Sequence, residues 1–191
     1  MTNKTLDWVF PKPVYTIDGL CVDQLQEYEQ IAHDIISNGF NRLEEYNVNT
    51  TNQVNNNVIE LFPELKTVIL DYSKEFMQLL GYHQSYIDNA TIADSTINIS
   101  YGGDFLFPHT HGVCLLAGVF YIKTPPTATM WVYDDLHKVE RYYNAAVPST
   151  CPLSKSYDCV PGRMILFQPD LIHGNKLQPE GEKIALPFKI N

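Results

Sequence analysis

Near the N-terminus, two stretches carry apolar residues at helical spacing. Val22, Leu25, Ile31, Ala32, Ile35 and Ile36 form one stripe, which predicts a helix over residues 21–38 with Gly39 as its stop. Leu65, Val68, Ile69, Tyr72, Phe76, Leu79 and Leu80 form a second, which predicts a helix over 63–80. Pro63 suits its first position and Gly81 its end. Both stripes are packing surfaces. Between them lies "NVNTTNQVNNN", residues 47–57. Asn and Thr compete with regular backbone structure, so this stretch reads as a surface loop, a candidate lid, and not as a domain boundary.

After Gly81 the period changes. "STINISY" alternates, with Ile97, Ile99 and Tyr101 on one side. "LLAGVFYI", "TATMWVY", "RMILFQP" and "KIALPFKI" follow as short strands with Pro, Gly and Asp between them. "FPKPVYTI" near the start adds a strand whose prolines restrict it to a sheet edge. Two helices followed by many strands, without a βαβ rhythm, predict a mainly β, α+β architecture. It is a sandwich or barrel with the helices packed on one sheet. One domain over 1–191 is expected, with helical support at about 18–82 and a β core at about 89–191.

The composition is globular, 45% hydrophobic and 18% charged. A net charge of −9 with no Lys/Arg run argues against nucleic-acid binding. No apolar run is long enough to span a bilayer, and the first residues do not resemble a secretory signal. Cys21, Cys114, Cys151 and Cys159 show no CxxC spacing, as expected of reduced thiols in a cytoplasmic protein; a Cys151–Cys159 loop disulfide is the alternative. A homodimer is the default expectation for assembly.

Candidate chemistry sits in the histidines. His33 falls in the first helix, and His83 and His137 in polar loops. In "FPHTHGV", His109 and His111 are two residues apart, so in a strand both imidazoles point the same way, with Cα atoms roughly 7 Å apart. Both can then reach one cation, although two half-exposed histidines on a strand edge would look the same. His173, in "PGRMILFQPDLIHGN", follows a strand and a tight turn and supplies the third ligand of a facial metal site with open positions. Lys183 begins "KIALPFKI", where Ile184, Leu186, Phe188 and Ile190 face one way and Lys183, Ala185 and Pro187 the other. A lysine facing a barrel interior needs an anionic partner.

The segments "NISYGGDFLFPHTHGVCLLAGVFYIKTP", "PGRMILFQPDLIHGN" and "KIALPFKIN" resemble the iron(II)- and 2-oxoglutarate-dependent oxygenases, most of all a branch of small oxygenases common in marine bacteria and their phages. The resemblance covers residues 95–191 and implies a double-stranded β-helix, a distorted, cupin-like jelly roll with iron(II) in its mouth. By the same resemblance His109, His111 and His173 are the metal ligands and catalytic centre. His111 stands where most of the superfamily has Asp or Glu. Lys183, in place of an Arg, grips the far carboxylate of 2-oxoglutarate together with Tyr121, while Asn98 and Tyr101 line the cosubstrate pocket. Lysine offers a single-point charge where arginine offers a planar fork. Ala185 and Lys189 stand where the branch has Ser and Asn, and Asp104 is too far from His111 to be expected as a ligand.

The implied activity is that of a dioxygenase, a hydroxylase using O2 and 2-oxoglutarate on a small-molecule or peptide substrate. Two other classes stay open at this point. One is a cupin-like three-histidine metalloenzyme that does not use 2-oxoglutarate. The other is a non-catalytic metal-binding barrel. Trp131, Tyr133, Asp134 and Asp135 flank the expected mouth, and "VERYYNAAVPST" reads as an irregular rim segment.

Overall fold

The computed structural model describes residues 2–9, 12–43, 48–52, 54–133 and 154–191. Asp134, Asp135, His137, "VERYYNAAVPST" and Cys151 lie outside the described residues. Among the described residues no helix is long and apolar enough to cross a membrane.

Both predicted helices form. Helix α1 spans Leu25–Ser37, preceded by a 3-10 turn at Val22–Gln24, and α2 spans Pro63–Leu79. A short α3 follows at Gln84–Asp88. Gly81 closes α2 in the left-handed region, at φ +76°, where any Cβ would be strained. Its N–H bonds Gln78 O at 3.0 Å, and the Tyr82 N–H bonds Met77 O at 3.0 Å, so the last turn is sealed twice. Val22 and Leu79 stay more than half exposed, so the stripes are narrower than the spacing implies.

The strands are β1 (Asn3–Val9), β2 (Lys12–Asp18), β3 (Asn41–Leu43), β4 (Val48–Thr50), β5 (Ile92–Ser95), β6 (Asn98–Ser100), β7 (Leu106–His109), β8 (Leu116–Lys123), β9 (Thr129–Tyr133), β10 (Ser154–Asp158), β11 (Met164–Phe167), β12 (Ile172–Asn175) and β13 (Lys183–Ile190). The larger sheet runs β1-β2-β11-β8-β13-β6-β4-β3, with β5 also on β13, and the smaller runs β10-β9-β12-β7. From β6 onward the backbone crosses back and forth between the sheets, with β9 and β10 consecutive in the small one. Strands β6, β8, β11 and β13 fall in the large one, and β7, β9, β10 and β12 in the small one. That crossing winds the polypeptide into a jelly roll.

The alternation of side chains along each strand then makes two cores. On β8, β11 and β13, Leu116, Phe120, Leu166, Ile184 and Leu186 face α2, where they meet Leu65, Ile69 and Phe76, all buried. Ala117, Tyr121, Ile165, Phe167 and Ala185 face the other way, into the space between the sheets, with Met130 and Val132. Burying a large apolar residue fully adds about 1.5–3 kcal/mol. The face assignment of β13 thus follows the parity of its sequence.

Two expectations are corrected. The "FPKPVYTI" strand is not an edge: β2 lies between β1 and β11. Its pairing with β11 runs only from Val14 to Ile17, so Pro13 faces β1 alone and costs no bond to β11. The Asn-rich stretch is not wholly a surface loop. Val48–Thr50 forms β4, paired with β6 and carrying buried Val48 and Thr50. Thr51 Oγ1 accepts the Ile97 N–H at 3.0 Å, which ties the segment to the sheet.

Candidate metal centre

His109 ends β7 and His173 sits in β12, and the two are direct cross-strand partners. Strand β7 is the outer strand of the small sheet, where Pro108 costs no ladder bond. Past β7, the His111 N–H donates to Pro169 O at 2.9 Å, which fixes the third histidine beside the β11–β12 turn. The ring centroids stand 4.4 Å (His109–His173), 5.0 Å (His111–His173) and 5.4 Å (His109–His111) apart. One ligand nitrogen of each lies within 4.8 Å of the others.

Two of the rings are oriented by backbone. His109 Nδ1 donates to Phe107 O and His173 Nδ1 to Leu171 O, each at 2.8 Å. A carbonyl can only accept, so Nδ1 carries the proton and Nε2 keeps its lone pair for a metal. Burial pushes the His173 pKa down to about 3, helped by His109 and His111 and opposed by the Leu171 carbonyl. Burial, then His109 and Lys189, bring His111 to about 4, against the pull of Asp94. His109 is lowered by burial, with the Phe107 carbonyl working against it. All three are neutral at pH 7, the state a metal requires.

A cavity of about 280 Å³ opens between the sheets below the triad. Its floor is two neighbouring strand rows. Asp94 pairs with Lys189, Thr96 N–H donates to Pro187 O, Asn98 pairs with Ala185, and Ser100 pairs with Lys183. All eight residues line the cavity. Lys183 is 5% exposed and makes no ion pair among the described residues. Burial lowers its pKa, against Cys159 and Asp104. With the Asn175 amide donating to Thr129 O (3.1 Å) and Gly174 O (3.2 Å), Asn175 Oδ1 accepts from Lys183 Nζ at 3.0 Å. A neutral amide does not compensate a buried ammonium, so the site is built for an anion.

No family model matches this protein. No curated protein matches it either. Solved structures do. The viral collagen prolyl hydroxylase vCPH from Paramecium bursaria Chlorella virus-1, in complex with 2-oxoglutarate, shares 16% identity at TM-score 0.59, over 93% of this chain and 94% of that one. HygX from Streptomyces hygroscopicus, with nickel and 2-oxoglutarate bound, shares 14% at 0.58, over 93% and 82%. SnoK, a non-heme α-ketoglutarate-dependent carbocyclase of nogalamycin biosynthesis, shares 12% at 0.66, over 93% and 78%. The fold is the double-stranded β-helix. At these identities the likeness is one of fold, and the site must speak for the chemistry.

Within the β-helix, His109, His111, His173, Lys183, Tyr121 and Asn98 all line one cavity. Tyr121 is 2% exposed and keeps its proton because of burial; its hydroxyl bonds Cys159. Asn98 Oδ1 is buried with no hydrogen-bond partner among the described residues. Tyr101 is a correction: it is 45% exposed, does not line the cavity, and its hydroxyl meets Glu182. Strand alternation causes this, because Asn98 and Ser100 point inward. Trp131 also points away from the interior, between inward Met130 and Val132, and its ring carries Lys176 Nζ at 3.5 Å from the centroid.

Three features go beyond the sequence reading. Asp104, 6% exposed, accepts from Arg42 at 2.9 Å and from the Tyr101 N–H at 2.8 Å, which explains why it is no ligand. Asp94 and Lys189 form an ion pair at 2.8 Å in the cavity floor. Asn175 lies two residues past His173, and that parity is the available signal for it.

Proposed function

We propose that the protein is an iron(II)- and 2-oxoglutarate-dependent dioxygenase acting as a hydroxylase. The observation that carries this reading is one cavity that joins three neutral imidazoles to a buried lysine without an ion pair. The donor set fits the metal. His109 and His173 present Nε2 with Nδ1 locked, and His111 completes a facial triad that leaves open positions for small ligands. Lys183 would hold the far carboxylate of 2-oxoglutarate, with Tyr121 and Asn98 beside it. The bound metal and cosubstrate would supply the oxidation: one atom of O2 goes to succinate as CO2 leaves, and the other enters a substrate C–H bond. The protein positions both partners and keeps the ligands unprotonated.

The absence of a carboxylate from the triad gives the cupin-like reading, in which 2-oxoglutarate plays no part, its one point of support. Anaerobic titration of metal-free protein with iron(II), with and without 2-oxoglutarate, separates the two. A weak visible charge-transfer band that needs both components supports the oxygenase. Metal binding with no band gives the cupin-like reading the lead. We place the activity in a cytoplasmic homodimer. Its substrate is a small molecule or peptide, not a nucleic acid, in keeping with the net charge of −9.

A further inference from the structure

The cavity floor has two charged ends. Along β13, Lys183 and Lys189 point the same way six residues apart, roughly 20 Å at the rise of a strand. The lysine at one end, Lys183, has no ion pair among the described residues. The other is bound to Asp94 at 2.8 Å, and both partners of that pair are partly exposed, 36% and 26%. The three histidines, the ion pair and Lys183 all line the same cavity. Asp94 Oδ1 is buried and accepts no hydrogen bond among the described residues.

We propose that Asp94 and Lys189 read the substrate, and that the substrate is a free α-amino acid. This inference rests on the function proposed above. A neutral ion pair in a half-buried wall repels no sign of charge and selects none. What it complements is a second ion pair laid against it in reverse. The ammonium of an amino acid meets Asp94, and its carboxylate meets Lys189. Neither end is then left as an unpaired charge, whereas a lone amine or a lone acid would strand one of the two wall residues. The cavity, about 280 Å³, also has room for a compact polar molecule beside the cosubstrate.

The test uses the full-length protein, held anaerobically with iron(II) and 2-oxoglutarate. The proteinogenic L-amino acids are added one at a time, each beside its N-acetyl and its carboxamide form. Melting temperature and the visible band are followed. At least one free amino acid is expected to raise the melting temperature and perturb the band. Blocking either end should weaken that response at least about tenfold, because one charge of the wall pair loses its partner. Asp94→Asn and Lys189→Met should each impose a similar loss on the free amino acid, while the band from iron(II) and 2-oxoglutarate persists. Blocked forms that bind as well as the free ones overturn the proposal. So does a complete panel without response in protein that does form the band, and in that case the oxygenase reading stands. If wild-type protein forms no band, both fall together.

Discussion

Gly174 follows His173 in β12 and packs directly on β7. A Cβ built there would lie 2.6 Å from Leu106 O and 3.0 Å from both Phe107 C and Phe107 O, whereas real Cβ contacts essentially never come below 3.0 Å. These are backbone atoms, so no rotamer change relieves the clash. The substitution Gly174→Ala must therefore push β7 off β12 by at least 0.4 Å, the gap between 2.6 and 3.0 Å. Among the described residues strand β7 has no partner on its other side, so it is the strand that yields. It carries His109, while His173 stays with β9. Metal–ligand distances tolerate only about 0.2 Å, so iron(II) affinity should fall about 10- to 100-fold, the range for disturbed ligand support. Gly118→Ala is the control. Its Cβ would meet the Phe188 ring at 2.5 Å and Leu166 Cδ2 at 2.7 Å, both in the core shared with the helices, although Phe188 also borders the cavity. Overpacking there costs about 1–3 kcal/mol of stability and should leave the metal site alone. Iron(II) titration and thermal melting of both variants decide the matter. If Gly174→Ala binds iron(II) as wild type does, or if the two variants lose metal equally, the reasoning about β7 is wrong.

Lys183→Met should weaken 2-oxoglutarate about 10- to 100-fold in a titration of the iron-loaded protein, the worth of one charge-assisted bond; unchanged affinity removes Lys183 as the anchor. His111→Asp should still bind iron(II), since it restores a carboxylate among the ligands, and a folded variant that binds none would give His111 another role. His173 titrates at about 3 when folded and near its ordinary 6.5 when unfolded, so between those values the unfolded state holds more protons. The stability it contributes is whole above pH 6.5 and is lost as pH falls toward 3, about 3 kcal/mol of it by pH 4. Melts of metal-free wild type against His173→Gln across that window should converge with acid, and a constant difference refutes the claim. Iron(II) and 2-oxoglutarate should each tighten the other by the same factor, about 5- to 150-fold, because a three-histidine site leaves a dication's charge for the incoming anion to balance; independent binding argues against a shared site.

The helices and long strands are legible because burial on one side writes a period into the sequence. Leu65, Ile69 and Phe76 on α2 and Ile184, Leu186 and Phe188 on β13 meet in one core, and each set shows its own spacing. Strands β3, β4 and β10 leave no such mark. Strand β4 buries Val48 and Thr50 against the cavity instead of a main core, so its sequence looks like a loop while its backbone is held by β6. Pro13 does stay out of a two-sided ladder, but a strand can sit inside a sheet while only part of it is paired on both edges.

The site divides along the same line. Parity puts His109 with His111 and Lys183 with Ala185, and the folded protein keeps both relations. Parity also contains a warning. Asn98 and Tyr101 are an odd number of residues apart, so one regular strand cannot turn both into the cavity, and Tyr101 is the one outside. What no local pattern supplies is how the charges pair. Lys189 meets Asp94 across 95 residues, and Arg42 meets Asp104 across 62. Those two ion pairs cancel four of the five charges gathered around the cavity and leave Lys183 as the one cation there, among the described residues, without an ion pair. Sequence names the charged residues, but the fold decides which of them is left to bind an anion.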